Sequence, residues 1–215
     1  MLERFLNPKH TSLKVCGVRT KSDAEQLAEL GVEALGVNFW PQSKRYLDPA
    51  EAGFLPELQG RILRVGVFVN AGTQLPFRLH ENGLIDVAQL HGDEPDEEIL
   101  FLQDHGVPVF RALGIANGRD LEAAAECPAD GVLLDAHAPG IYGGTGNTID
   151  WDAAVGFVAI HPDVPVILAG GITPENAAEA ARTVRPAAVD TASGSESAPG
   201  VKDMVKVVKL LEAIR

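Results

Sequence analysis

Two residues carry the reactive groups that stand out first, and each closes a short apolar run. Cys16 ends Leu13-Lys14-Val15-Cys16 and is followed by Gly17; Asp135 ends Gly131-Val132-Leu133-Leu134-Asp135. In an extended strand side chains alternate, so Lys14 and Cys16 share one face while Leu13 and Val15 take the other. If the apolar face meets a helical layer, the thiol points into the space the strands enclose. A thiolate there removes a carbon-bound proton or attacks as a nucleophile, and either role requires its ordinary pKa of ~8.5 to be lowered. The competing reading is a small buried hydrophobe, the commoner fate of an isolated cysteine. Asp135 has two readings as well: it caps the following loop, or, partly closed off from water, it keeps a proton that it can donate. A base and an acid in one pocket point to isomerisation.

Other residues suggest an anion site. Ala169-Gly170-Gly171-Ile172-Thr173-Pro174 and Ala192-Ser193-Gly194-Ser195 each follow a late apolar run, and glycine lets backbone N–H groups approach a phosphate closely. Gly170, Gly171, Ser193 and Gly194 are therefore candidate phosphate binders, although tight turns need glycine too. Gly143-Gly144-Thr145-Gly146 has no helix opening directly on it and reads as a lid or substrate-contact loop rather than a dinucleotide fingerprint. Arg45, in Pro41-Gln42-Ser43-Lys44-Arg45-Tyr46, either grips a substrate carboxylate in two-pronged fashion or is a solvated loop arginine. His91, in Gln89-Leu90-His91-Gly92, reads as a structural hydrogen-bonding residue. No His or carboxylate cluster has ligand spacing, so no metal is assigned. Lys14, inward below Cys16, needs an opposite charge, and Asp190 is the candidate partner: a Lys14–Asp190 pair would tie the first strand to the last and place positive charge near the thiol.

These residues need a frame that brings them together. Short β-branched runs alternate with helical segments along the whole chain, as βα units do. Strands are expected near Leu13–Val18, Ala34–Phe39, Leu63–Val69, Val87–His91, Val107–Ala112, Gly131–Asp135, Pro165–Ala169 and Ala188–Thr191. Helices are expected near Ser22–Leu30, Pro49–Leu58, Leu75–Glu81, Glu97–Asp104, Arg119–Glu126, Trp151–Ile160, Pro174–Thr183 and Asp203–Ile214. Thr20 with Asp23, and Thr173-Pro174-Glu175, read as helix starts. The stretches 143–146 and 194–200 read as loops. Doubly wound open sheets share this alternation. What favours a closed (β/α)8 barrel, the TIM-barrel architecture, is that the chemically interesting residues all fall at or just past the C-terminal ends of strands, which share one rim in a barrel. The expected organisation is one domain over 1–215, with 1–12 as an N-terminal extension and 13–215 as the barrel.

Bulk properties exclude several classes. With 46% hydrophobic and 22% charged residues the chain is too apolar to be disordered. A net charge of −12 argues against general nucleic-acid binding, which needs a basic face. Cys16 and Cys127 form no C-x-x-C unit, so a reducing cytoplasm is expected. The N-terminal residues have no apolar signal-like run, and no run is long enough to cross a bilayer.

Lys14-Val15-Cys16-Gly17, Ser43-Lys44-Arg45-Tyr46, Arg64-Val65-Gly66-Val67-Phe68-Val69-Asn70, Gln89-Leu90-His91-Gly92, Leu134-Asp135, Gly143-Gly144-Thr145-Gly146, Asp150-Trp151, Leu168-Ala169-Gly170-Gly171 and Ser193-Gly194, in this order, resemble the phosphoribosylanthranilate isomerase family of tryptophan biosynthesis. The resemblance runs from about Lys14 to the C-terminus. It implies a cofactor-independent Amadori rearrangement of N-(5-phosphoribosyl)anthranilate, with a phosphorylated small molecule as the only partner besides, at most, a second copy of the chain. It further implies Asp135 as the acid that opens the furanose ring, Cys16 as the base that takes the C2 proton, Arg45 on the anthranilate carboxylate, and Gly170, Gly171, Ser193 and Gly194 around the phosphate. The chain departs from the family pattern at Asn38, Trp40, Asn147 and across Thr191–Ser195. Rival readings are another sugar-phosphate barrel, which leaves Cys16 poorly explained, and a non-catalytic phosphate-binding barrel, which has no reason to retain Cys16, Asp135 and Arg45 together.

Overall fold

In the computed structural model, residues 1–7, 9–136 and 150–215 are described. The chain opens with the short helix α1 (Leu2–Phe5) and runs through β1 (Ser12–Cys16), α2 (Lys21–Glu29) and β2 (Ala34–Asn38). Next come two 3-10 turns, Pro49–Glu51 and Leu55–Leu58, followed by β3 (Leu63–Phe68), α3 (Gln74–Glu81), β4 (Val87–Leu90) and α4 (Asp96–Asp104). β5 (Val109–Ile115), α5 (Gly118–Glu126), β6 (Gly131–Ala136), α6 (Trp151–Ile160), β7 (Val166–Leu168), α7 (Ala177–Val184) and β8 (Ala188–Thr191) continue the alternation. After β8 come a 3-10 turn (Ser193–Ser195), the hairpin strands β9 (Glu196–Ala198) and β10 (Val201–Lys202), and α8 (Met204–Ile214). β1 through β8 form a closed parallel barrel in sequence order, with β1 pairing to both β2 and β8. The expected closed (β/α)8 barrel is the observed fold. Among the described residues no helix is long and apolar enough to cross a membrane.

Alternation sorts the strand residues into two apolar layers. Leu13, Val15, Leu35, Val37, Leu134 and Val189 face outward and pack with helix residues such as Leu27, Leu102, Phe157 and Leu210. Ala34, Leu63, Val65, Val87, Phe110, Leu133, Ile167 and Ala188 face inward. Phe5 of α1 joins the inner layer and stacks on Phe110 at 5.8 Å, so the N-terminal helix plugs the bottom of the barrel. A buried Phe side chain stabilises by about 1.5–3 kcal/mol through its area alone. With the bottom filled, the open end is the one where the strands finish.

Four expected elements differ. The helix expected over Pro49–Leu58 is the pair of 3-10 turns, because Pro56 has no N–H to continue a ladder. Buried Arg64 also reaches that segment, donating to the Leu55 carbonyl at 3.1 Å and gripping Asp86 through Nε and Nη2 at 2.9 and 2.6 Å. β5 starts after Pro108 rather than at Val107, since proline cannot donate to a strand ladder. Helix α7 starts at Ala177 rather than Pro174: Asn176 Oδ1 accepts from the Thr173 N–H at 2.8 Å and its Nδ2 donates to the Gly171 carbonyl at 2.9 Å, holding a turn there. The 194–200 stretch, expected as loop, contributes β9 and the turn of the hairpin. By contrast, the Thr20 start of α2 is as expected, its hydroxyl accepting from the Asp23 N–H at 3.1 Å.

Candidate active site

Lys14 and Cys16 lie on the inner side of β1, opposite Leu13 and Val15. Cys16 stands beside Gly36 of β2, where a Cβ would come within 2.7 Å of the sulfur, so glycine makes the room the thiol occupies. One step below, Lys14 pairs in register with Asp190 of β8, and its Nζ donates to Asp190 Oδ1 at 2.8 Å. The expected pair exists, wholly buried on the lysine side. Burial works against the ammonium, but the charge of Asp190, and then that of the Cys16 side chain, outweigh it and raise the Lys14 pKa.

The β9–β10 hairpin covers this corner. Lys202 Nζ, buried, donates to the Cys16 carbonyl at 2.6 Å and to Glu196 Oε1 at 3.0 Å. Arg45 reaches the same Glu196 in two-pronged fashion, Nε to Oε1 at 2.8 Å and Nη2 to Oε2 at 2.7 Å. Its aliphatic stem lies directly on Gly17, which holds φ at +82° and where any Cβ would collide with Arg45 Cδ. Arg45 is thus neither solvated nor free: its side-facing fork already holds a carboxylate of the protein. The Cys16 thiol is raised first by burial and also by Asp190, while Lys14, Lys202 and Arg45 oppose that rise. Glu196 is pushed up by burial but more strongly down by Arg45 and Lys202, and is lowered overall. Lys202 is lowered, burial prevailing over Glu196.

Asp135 is the last inward residue of β6 and almost fully buried. Its Oδ1 accepts from the Ala136 N–H at 2.8 Å. His91 Nε2 stands 3.6 Å from its Oδ2, beyond hydrogen-bond length. Gln89 Nε2 lies 3.2 Å from His91 Nδ1; with Gln89 as donor the ring hydrogen sits on Nε2 and faces Asp135. Gln89 Oε1 is buried without a partner among the described residues.

The two late loops meet at the same end. Gly170 and Gly171 hold φ at +80° and +64°, a conformation that favours glycine. Thr191 Oγ1 donates to the Ile172 carbonyl at 2.7 Å, and Gly194 lies so close to that carbonyl that any Cβ would collide with it. Gly170, Gly171, Ser193 and Gly194 therefore belong to one packed loop pair. Several departures from the family pattern have local reasons: Asn38 Oδ1 accepts from the Trp40 N–H at 2.9 Å, Thr191 makes the bond just named, and Ser195 Oγ donates to the Ala192 carbonyl at 2.8 Å. Gly143-Gly144-Thr145-Gly146 and Asn147 lie outside the described residues. Among the described residues no three His, Cys, Asp or Glu side chains converge as metal ligands do.

Glu196, Lys202 and Gln89 were not among the expected site residues. Gln89 had a signal, being a polar residue of inward parity within an otherwise apolar strand. Glu196 and Lys202 flank Pro199-Gly200, a turn signal between two charged residues that would have marked the hairpin.

Residues 13–213 match the family model described as N-(5'phosphoribosyl)anthranilate (PRA) isomerase. The chain is 44% identical to the N-(5'-phosphoribosyl)anthranilate isomerase of Myxococcus xanthus over 94% of this chain and 95% of that one. The crystal structure of phosphoribosyl anthranilate isomerase from Thermotoga maritima superposes with a TM-score of 0.86 at 34% identity, covering 95% of this chain and 98% of that one. A phosphoribosyl anthranilate isomerase solved in complex with reduced 1-(o-carboxyphenylamino)-1-deoxyribulose 5-phosphate superposes with a TM-score of 0.81 at 32% identity, covering 95% and 98% of the two chains. With the closed barrel and the thiol and carboxyl group at its open end, these likenesses establish that the chain belongs to the N-(5'-phosphoribosyl)anthranilate isomerase family of enzymes.

Proposed function

We propose that this chain isomerises N-(5-phosphoribosyl)anthranilate to 1-(2-carboxyphenylamino)-1-deoxyribulose 5-phosphate, with Asp135 as general acid and Cys16 as general base. Asp135 gives its proton to the furanose ring oxygen as the C1–O bond breaks, leaving a Schiff base between C1 and the anthranilate nitrogen. The Cys16 thiolate takes the proton on C2, and the electron pair moves to the nitrogen to give an enolamine. Proton return to C1 and loss of the O2 proton yield the ketone. The observation that carries this reading is the inward Cys16 sulfur, set among Lys14, Lys202 and Arg45 at the barrel end where Asp135 is the last inward residue of β6.

Burial holds the Cys16 thiol above its ordinary pKa, against the lowering a base needs, and the neighbouring cations are what work toward that lowering. Gly170, Gly171, Ser193 and Gly194 offer backbone N–H groups to the phosphate at the loops where barrels of this kind bind it. His91 faces Asp135 at 3.6 Å, while Lys14 and Asp190 support the thiol from below. We place the enzyme in the cytoplasm, where Cys16 and Cys127 remain free thiols, as a monomer or homodimer.

The test is the fluorescence decay of phosphoribosylanthranilate with wild-type, Cys16→Ala and Asp135→Asn proteins. Each substitution is expected to lower kcat by about 10²–10⁴-fold with the fold retained. Near-normal turnover by either variant removes that residue from its assigned role.

A further inference from the structure

The guanidinium of Arg45 has two edges that accept a carboxylate: the side edge, formed by Nε and Nη2, and the end edge, formed by Nη1 and Nη2. Glu196 occupies the side edge with two short bonds. Among the described residues Nη1 has no hydrogen-bond partner, so the end edge is the one available to a ligand. Glu196 is itself over-determined. Its Oε1 also accepts from the Gly200 N–H at 3.1 Å and from Lys202 Nζ at 3.0 Å, and Lys202 is anchored in turn on the Cys16 carbonyl at 2.6 Å. The carboxylate cannot swing away without stranding a buried lysine. With the Arg45 stem pressed on Gly17, the guanidinium is fixed from two directions within reach of the thiol's charge.

From this we infer that Glu196 is a positioning residue for Arg45: by filling one edge of the guanidinium it aims the other at the substrate's aromatic carboxylate. The inference rests on the proposed role of Arg45. A free arginine side chain loses several rotamers when it grips a ligand; one already held by a carboxylate and a backbone surface has lost them beforehand. The hairpin β9–β10 is then a specificity element, present to deliver Glu196 and Lys202 over the end of β1.

The test is calorimetric binding of two compounds to wild-type, Glu196→Gln and Glu196→Asp proteins. One compound is reduced 1-(o-carboxyphenylamino)-1-deoxyribulose 5-phosphate; the other is its counterpart lacking the ring carboxyl. Glu196→Gln is expected to weaken binding of the first compound roughly 10-fold or more, and of the second by less than about 3-fold. Glu196→Asp keeps the charge beside Lys202 but withdraws it from the fork, and gives an intermediate loss confined to the first compound. In turnover of phosphoribosylanthranilate both variants should raise KM more than they lower kcat. Equal weakening of both compounds, or an undiminished effect of Glu196→Gln in an Arg45→Ala background, overturns the inference and leaves the proposed isomerisation standing. Wild-type protein that binds both compounds equally removes Arg45 from the carboxylate, and the inference with it; absence of wild-type turnover refutes the isomerisation itself.

Discussion

Around Cys16, the ammonium of Lys14, the guanidinium of Arg45 and the ammonium of Lys202 each have a carboxylate within 3.0 Å. Around Asp135, among the described residues, stand one backbone donor at 2.8 Å, a histidine at 3.6 Å, and behind it a glutamine whose carbonyl oxygen has no partner there. The crowded side is held by the closure of the barrel, since β1 and β8 put Lys14 against Asp190 and the hairpin after β8 brings Glu196 and Lys202 over the top. The sparse side leaves one carboxyl oxygen without a hydrogen bond among the described residues. A buried thiol gains from surrounding cations that cannot move; in the proposed mechanism the acid needs an oxygen available to the group it protonates. Rigidity and openness are thus divided between the two halves of one rim.

The contrast can be broken first on the crowded side. Lys14→Met leaves Asp190 mostly enclosed and without its partner and is expected to cost about 3 kcal/mol of stability in urea unfolding. The double variant Lys14→Met/Asp190→Leu should recover most of that loss and still be impaired in turnover, because the charge that opposes the rise of the thiol pKa most strongly is gone; full recovery of both would make the pair a structural tie only. On the sparse side Gln89→Met removes one 3.2 Å contact and also a carbonyl oxygen with no partner among the described residues, so its stability should lie within about 1 kcal/mol of wild type. A Gln89→Met protein destabilised as much as Lys14→Met would erase the distinction between the two sides.

The crowded side was partly legible in the sequence and partly not, for different physical reasons. Strand alternation places Lys14 and Cys16 together and obliges a buried lysine to find a carboxylate, which is why Asp190 was identifiable. The same alternation puts Asp135 inward at the end of β6. Arg45 was recognisable as a carboxylate binder, but its partner within the protein lies 151 positions away on a hairpin inside a stretch rich in Gly, Ser and Pro, where periodicity is silent. Element edges failed where a proline removed a donor, at Pro56 and Pro108, and where Asn176 held a turn ahead of α7. The barrel itself was legible because its evidence is distributed over the whole chain, while the hairpin depends on the seven residues from Glu196 to Lys202.

The division of labour between the two sides is most directly measured with substrate deuterated at C2, compared with unlabelled substrate in single turnovers of Asp135→Asn and Cys16→Ser proteins. If Asp135 opens the ring and Cys16 then removes the C2 proton, slowing the first step should suppress the isotope effect in Asp135→Asn, and slowing the second should express it fully in Cys16→Ser. An isotope effect retained in Asp135→Asn and lost in Cys16→Ser would contradict the assignment of acid and base.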